Sequence, residues 1–196
     1  MWRRVLSWLG TTDPLNLSIL RLVVFPLLAS WAPTFIWFNS VPRAFLNPPF
    51  SLGSAMAPIV PTGFIVGSIV ATLFQIACIL AAFGFLTRLS AATATVLGVW
   101  VLGLPQLFDK IDHYHHVLWF AAILAVSPSG ERHTIVALLR KRRGERSPLE
   151  AVSALPLYTM WLLMGMMYFF PGYWKLRVFR EWVFGDYVRL HLWSKW

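Results

Sequence analysis

Two short stretches hold most of the side chains that can move protons or grip metals. The first is Asp109-Lys110-Ile111-Asp112-His113-Tyr114-His115-His116, where six of eight residues carry or can acquire a charge, in a chain only 13% Asp, Glu, Lys and Arg. The second is "FFPGYWKLRVF", which places Lys175 among aromatic and aliphatic neighbours. On a helix that begins near Asp109, the positions Asp109, Asp112 or His113, and His116 share one face, while His115 points elsewhere. Three kinds of chemistry fit this pattern. Polar residues can simply end a helix in water, with aspartate near its positive N-terminus. Histidine and aspartate at helical spacing are common metal ligands, although no second motif such as Glu-x-x-His accompanies them. Ionisable groups at membrane depth can also relay protons. A lysine abstracts a proton only as the neutral amine, a form favoured by apolar surroundings such as Tyr173, Trp174 and Leu176 would supply. Otherwise a lysine at the end of a span snorkels, charged, into water.

The elements that must position these residues are hydrophobic helices. The chain of 196 residues is 58% hydrophobic and has 11 tryptophans. Several apolar runs exceed the ~17 residues needed to cross a hydrocarbon core ~30 Å thick. The composition therefore predicts an all-α integral membrane protein: a bundle of about five transmembrane helices with amphipathic terminal helices. The expected spans are 15–38, 63–86, 89–107, 109–127 and 151–173, within a single domain covering 1–196. Asp13-Pro14 in "TTDPLNLS" is a helix start, because aspartate caps free amides and proline tolerates the first helical position. The proline-rich "SVPRAFLNPPFSLGSAMAPIVP" reads as irregular connection. "TRLS" around Arg88 reads as a tight turn, and "RKRRGER" as a surface loop. The N-terminal "MWRRVLSWLG" is expected to lie at the interface rather than to be cleaved. The charged and aromatic stretch after Tyr173 reads as an interfacial helix. The lone Cys78 leaves no intramolecular disulfide to form.

Basic residues set the expected orientation. With the N-terminus in the cytoplasm, the inner segments hold Arg3, Arg4, Arg88, Arg132, Arg140, Lys141, Arg142, Arg143 and Arg146, and the outer loops hold only Arg43 and Lys110. The tail with Lys175, Arg177, Arg180, Arg189 and Lys195 then lies outside, partly against the rule; the cluster Arg140–Arg146 outweighs it. A net charge of +9 is read as attraction to anionic lipid headgroups at Arg140–Arg146, not to nucleic acid. In this topology both the 109–116 turn and Lys175 emerge at the outer face.

Arg21 stands six residues inside the first span, so its charge must face protein or water rather than lipid. Ties to backbone carbonyls or a carboxylate are expected of it, with Asp13 an N-cap first and a partner second.

Four stretches, "TTDPLNLSILRLVVFPLL", "AAFGFLTRLSAAT", "DKIDHYHHVLWFAAILA" and "MYFFPGYWKLRVFREWV", together resemble the membrane region of vitamin K-dependent gamma-carboxylases, which defines the wider horizontally transferred transmembrane (HTTM) family. The resemblance implies a quinol-linked carboxylase or epoxidase-like lyase chemistry, in which a lysine deprotonates reduced vitamin K. That lysine matches Lys175, and the family's functional histidine matches His116. The family has a second lysine where Trp174 stands, and its usual neighbours of the histidine are replaced by His115 and Val117-Leu118. By the same resemblance Arg21, His113 and Trp174 are candidates for holding a reduced quinone. The family's later helices and its large soluble portion have no counterpart here. The expectation is therefore a bacterial inner-membrane protein with an outward quinone or lipid cavity between His116 and Lys175, lacking full carboxylation. The alternative is an accessory subunit packing against partner membrane subunits of a photosynthetic or respiratory complex.

Overall fold

Helix formation starts at Asp13-Pro14. The Leu15 N–H donates to Asp13 Oδ1 at 2.8 Å, so aspartate satisfies one of the free amides and proline takes the position where no amide proton is needed. The computed structural model describes residues 10–35, 64–103, 115–130, 134–144 and 150–177. Of the described residues 83% are helical, in six helices. In chain order the elements are β1 (Thr11–Thr12), α1 (Pro14–Phe35), α2 (Phe64–Phe83), α3 (Thr87–Gly103), α4 (His115–Val126), α5 (Ile135–Arg142), β2 (Val152–Ser153) and α6 (Leu155–Arg177). Two helices, over Pro14–Ala32 and Ile65–Phe83, are long and apolar enough to cross a membrane, and α4 is apolar but shorter.

The chain forms two compact units, Met1–Leu157 and Tyr158–Trp196. In the first unit α1 packs on α2, α2 on α3 and α3 on α4, with a smaller contact between α1 and α4. Each helix turns one stripe inward. On α1 this is Leu17, Arg21, Val24, Phe25, Leu28 and Ala32; on α2 it is Ala71, Phe74, Cys78 and Ala81. On α3 the buried stripe is Ser90, Ala91, Ala94, Gly98, Val101 and Leu102. Its small residues let backbones approach closely, the usual means of packing helices with little hydrophobic drive between them. Any Cβ at Gly98 would lie 2.6 Å from Leu118 and 2.9 Å from Phe74. The Gln75 side-chain amide crosses from α2 to donate to the Ala29 carbonyl at 3.2 Å.

The second unit, as described, is α6 beyond Leu157. Along the whole of α6 only Met160 is buried. Phe169 stacks on Tyr173 one turn later, rings 6.1 Å apart and 15° from parallel.

Four expectations need correcting. The α2–α3 turn is not "TRLS" but the preceding Gly84-Phe85-Leu86. Gly84 has φ +72°, and the Phe85 N–H donates back to the Leu80 carbonyl at 2.9 Å, closing α2 with a left-handed glycine cap. Thr87 and Arg88 already belong to α3, so the second helix ends at Phe83 and the third begins at Thr87. "RKRRGER" opens as helix rather than loop, because Thr134 caps α5: the Ala137 N–H donates to Thr134 Oγ1 at 2.8 Å. The last expected span starts at Leu155 rather than 151, because Val152 and Ser153 pair antiparallel with Thr12 and Thr11. The expected helices at 1–9 and 178–196, and the connection at 39–62, lie outside the described residues.

Candidate functional site

Contacts between neighbouring helices fix the levels at which side chains meet. Thr87 at the start of α3 sits against Gly130 just past α4, and Gly98 meets Leu118. Moving forward along α3 and back along α4, the pairing steps almost one residue for one, so the two run antiparallel. The first unit therefore has two ends, each with its own polar group.

At one end is Arg21, fully buried. Its Nη1 lies against Gly84 and beside Thr134. Gly84 ends α2, where unpaired carbonyls carry partial negative charge, and a guanidinium there opposes that charge. Thr134, itself buried, accepts from Ala137 through its hydroxyl oxygen and donates to the Gly130 carbonyl at 3.2 Å. Ser127 and Ser129 are buried nearby in sequence and both donate to the Leu124 carbonyl at 3.0 Å. This end binds α1, α2 and the α4–α5 connection together.

At the other end is His116. Its ring is half-buried, with Nδ1 sealed from solvent, and packs edge-on against Phe120 at 6.0 Å and against His115 at 6.1 Å. The register that joins Gly98 to Leu118 brings Trp100 of α3 level with His116 of α4. The Trp100 indole Nε1 is also sealed from solvent and finds no acceptor among the described residues. Trp100 escaped the sequence reading because a tryptophan in an apolar run looks like packing or an interfacial anchor. Only its sealed ring nitrogen sets it apart, on a side chain that is itself half-buried.

Of the residues singled out from sequence, Arg21 and His116 are not brought together. Thr87, level with Arg21, and Trp100, level with His116, stand roughly 20 Å apart along α3 at 1.5 Å per residue. Lys175 belongs to the second unit, in the last turn of α6 with Arg177, where cations suit the helix C-terminus. Lys175 is exposed, as are Tyr173, Trp174 and Leu176, with Trp174 60% accessible. His113, Asp109 and Asp112 lie outside the described residues, and a metal reading depends on them; among the described residues no three His, Cys, Asp or Glu side chains converge. Comparison of the chain with protein-family models, curated proteins and solved structures finds no match.

Proposed function

We propose that this chain is a multi-pass membrane protein of the HTTM type, with five helices crossing the bilayer from a cytoplasmic N-terminus. In this reading α1, α2, α3, α4 and α6 are the spans, and the His116 end of the first unit opens outward to receive a quinone or lipid headgroup. The observation that carries it is the inverted polarity of the first unit. Arg21, Ser18, Ser90, Ser127, Ser129 and Thr134 are buried, whereas Ile65 (74%), Val96 (69%) and Val126 (81%) are exposed. Water would penalise such a surface, and hydrocarbon would not. Hydroxyls along the helices close on backbone carbonyls of their own helix, as with Ser18 on Pro14, Thr72 on Ser68 and Thr95 on Ala91. That satisfies them without water, as a bilayer requires.

Within this reading His116 hydrogen-bonds the bound head; separately, its match to the carboxylase lysine makes Lys175 the candidate base. The role is non-carboxylating. Exposed Arg140, Arg142 and Arg143 continue α5 toward anionic headgroups of the inner leaflet. The test is oxygen uptake by the full chain in proteoliposomes supplied with a reduced naphthoquinone. Lys175→Ala and His116→Ala are expected to abolish it while the protein stays monodisperse; uptake equal to the parent in both variants would remove the reading.

A second reading, an accessory subunit, draws on α6. Its aromatic residues face outward almost all round, with Trp161 72% exposed, as a helix awaiting partner helices would. Mild solubilisation from native membranes decides: co-migration with other membrane proteins favours it, and a lone monodisperse species counts against it.

A further inference from the structure

The short helix α5, Ile135–Arg142, holds no acidic residue. Helical spacing divides its side chains into three sides. Thr134 and Ala137, three apart, are buried and half-buried. Ile135, Leu138 and Leu139 form an exposed apolar side, with Leu138 61% accessible. Arg142, at i+7 from Ile135, closes the C-terminal end of that side and is exposed too. Arg140 and Arg143 lie further round the helix, next to the apolar side and equally exposed. An apolar side adjoining a cationic one is the pattern of a helix that lies in a membrane surface. Its aliphatic side chains reach acyl depth, and arginine is long enough to return its charge to the phosphates. The level of α5 fits this. Its cap, Thr134, sits against Gly84 at the end of α2. Because α2 is long and apolar enough to cross a membrane, a helix that starts where α2 stops starts at headgroup depth. An acidic protein surface would suit the arginines alone and hydrocarbon the leucines alone; anionic lipid meets both.

We propose that α5 is a docking helix for anionic lipid, lying along the membrane surface with Ile135, Leu138 and Leu139 among acyl chains and Arg140, Arg142 and Arg143 on lipid phosphates. This rests on the reading of the first unit as membrane-spanning, and it goes beyond attraction of charges to headgroups. Charge alone would hold the arginines near the surface from the water side. The inserted leucines make α5 part of the surface, and the arginines select lipids with a negative head.

The experiment is spin labelling of the full chain in a Cys78→Ala background, with a nitroxide on Leu138→Cys or, as a control within α3, on Val96→Cys. The vesicles are dioleoyl phosphatidylcholine alone or mixed with an equal amount of dioleoyl phosphatidylglycerol. Power saturation compares access of oxygen, which enters lipid, with that of a water-soluble nickel chelate. In the mixed vesicles the Leu138 label is expected about 5–10 Å below the phosphates, favouring oxygen. It should rise into water when Arg140→Glu, Arg142→Glu and Arg143→Glu are combined. A Leu138 label open to nickel, beside a Val96 label in lipid, overturns the docking of α5 and leaves the spanning reading intact. Nickel access at both labels overturns both. A Leu138 label reached by neither reagent marks a protein cover and overturns the lipid assignment. Equal depth in both vesicles and after charge reversal overturns the choice of anionic lipid. Should Cys78→Ala fail to fold, amide hydrogen exchange of α5 in the parent decides between the two vesicles. Slower exchange with phosphatidylglycerol is expected, and exchange equal in both overturns the proposal.

Discussion

The two ends of the bundle formed by α1 to α4 differ in how far they bury their polar side chains. Each places a nitrogen-bearing side chain among apolar helices. Around Arg21 a glycine removes its own side chain to admit the guanidinium, and a threonine caps the next helix beside it. Around His116 the rings are half-buried and the nearby indole N–H has no acceptor among the described residues. Arg21 is fully buried against the end of α2, whereas His116 is half-buried; the residues alone predict a structural tie for Arg21, and only the resemblance puts it with the ligand.

Substitutions can break this contrast, beginning at the Arg21 end. Gly84→Val should be the most damaging, since its side chain would collide with Thr134 and Arg21 at a φ of +72° that β-branched residues rarely adopt. A loss of about 4 kcal/mol or more is expected, seen as failure to recover monodisperse protein in detergent. Arg21→Ala should follow at about 3 kcal/mol, from the cavity and the unopposed α2 terminus. Arg21→Lys should restore little, because an ammonium lacks the planar fork. Thermal unfolding in one detergent measures both, and a full rescue by lysine would mean that charge alone matters there. At the other end His116→Phe should change stability by less than ~0.5 kcal/mol, since the ring is only half-buried. A large stability loss would place His116 in the frame with Arg21 and erase the distinction.

Parts of this arrangement were legible in the residues and parts were not. Asp13-Pro14 announced the start of α1 because capping is a local interaction between adjacent residues. Arg21 was recognisable as an interior charge from its depth in an apolar run, but not its seat, since Gly84 and Thr134 are distant in sequence. The α2–α3 turn was misplaced by a few residues because Thr-Arg-Leu-Ser has the composition of a turn, whereas the glycine before it has the backbone freedom. The basic run after Leu139 hid α5, whose start depends on a single threonine hydroxyl and whose charges suit a helix C-terminus equally well. The pairing of Thr11–Thr12 with Val152–Ser153 left no trace, since two-residue strands carry no periodicity. The sealed indole nitrogen of Trp100 was not legible, because a tryptophan in an apolar run reads as packing.

That small pairing sets an order of events. Its two halves are separated by the whole of α1 to α5, so Thr12 waits for Val152 to leave the ribosome before the Ala154 N–H can reach the Gly10 carbonyl, 3.3 Å away in the finished fold. The earliest-made strand is thus the last to be clasped. Translation interrupted anywhere before β2 would leave the N-terminal edge unlatched, open to cellular quality control.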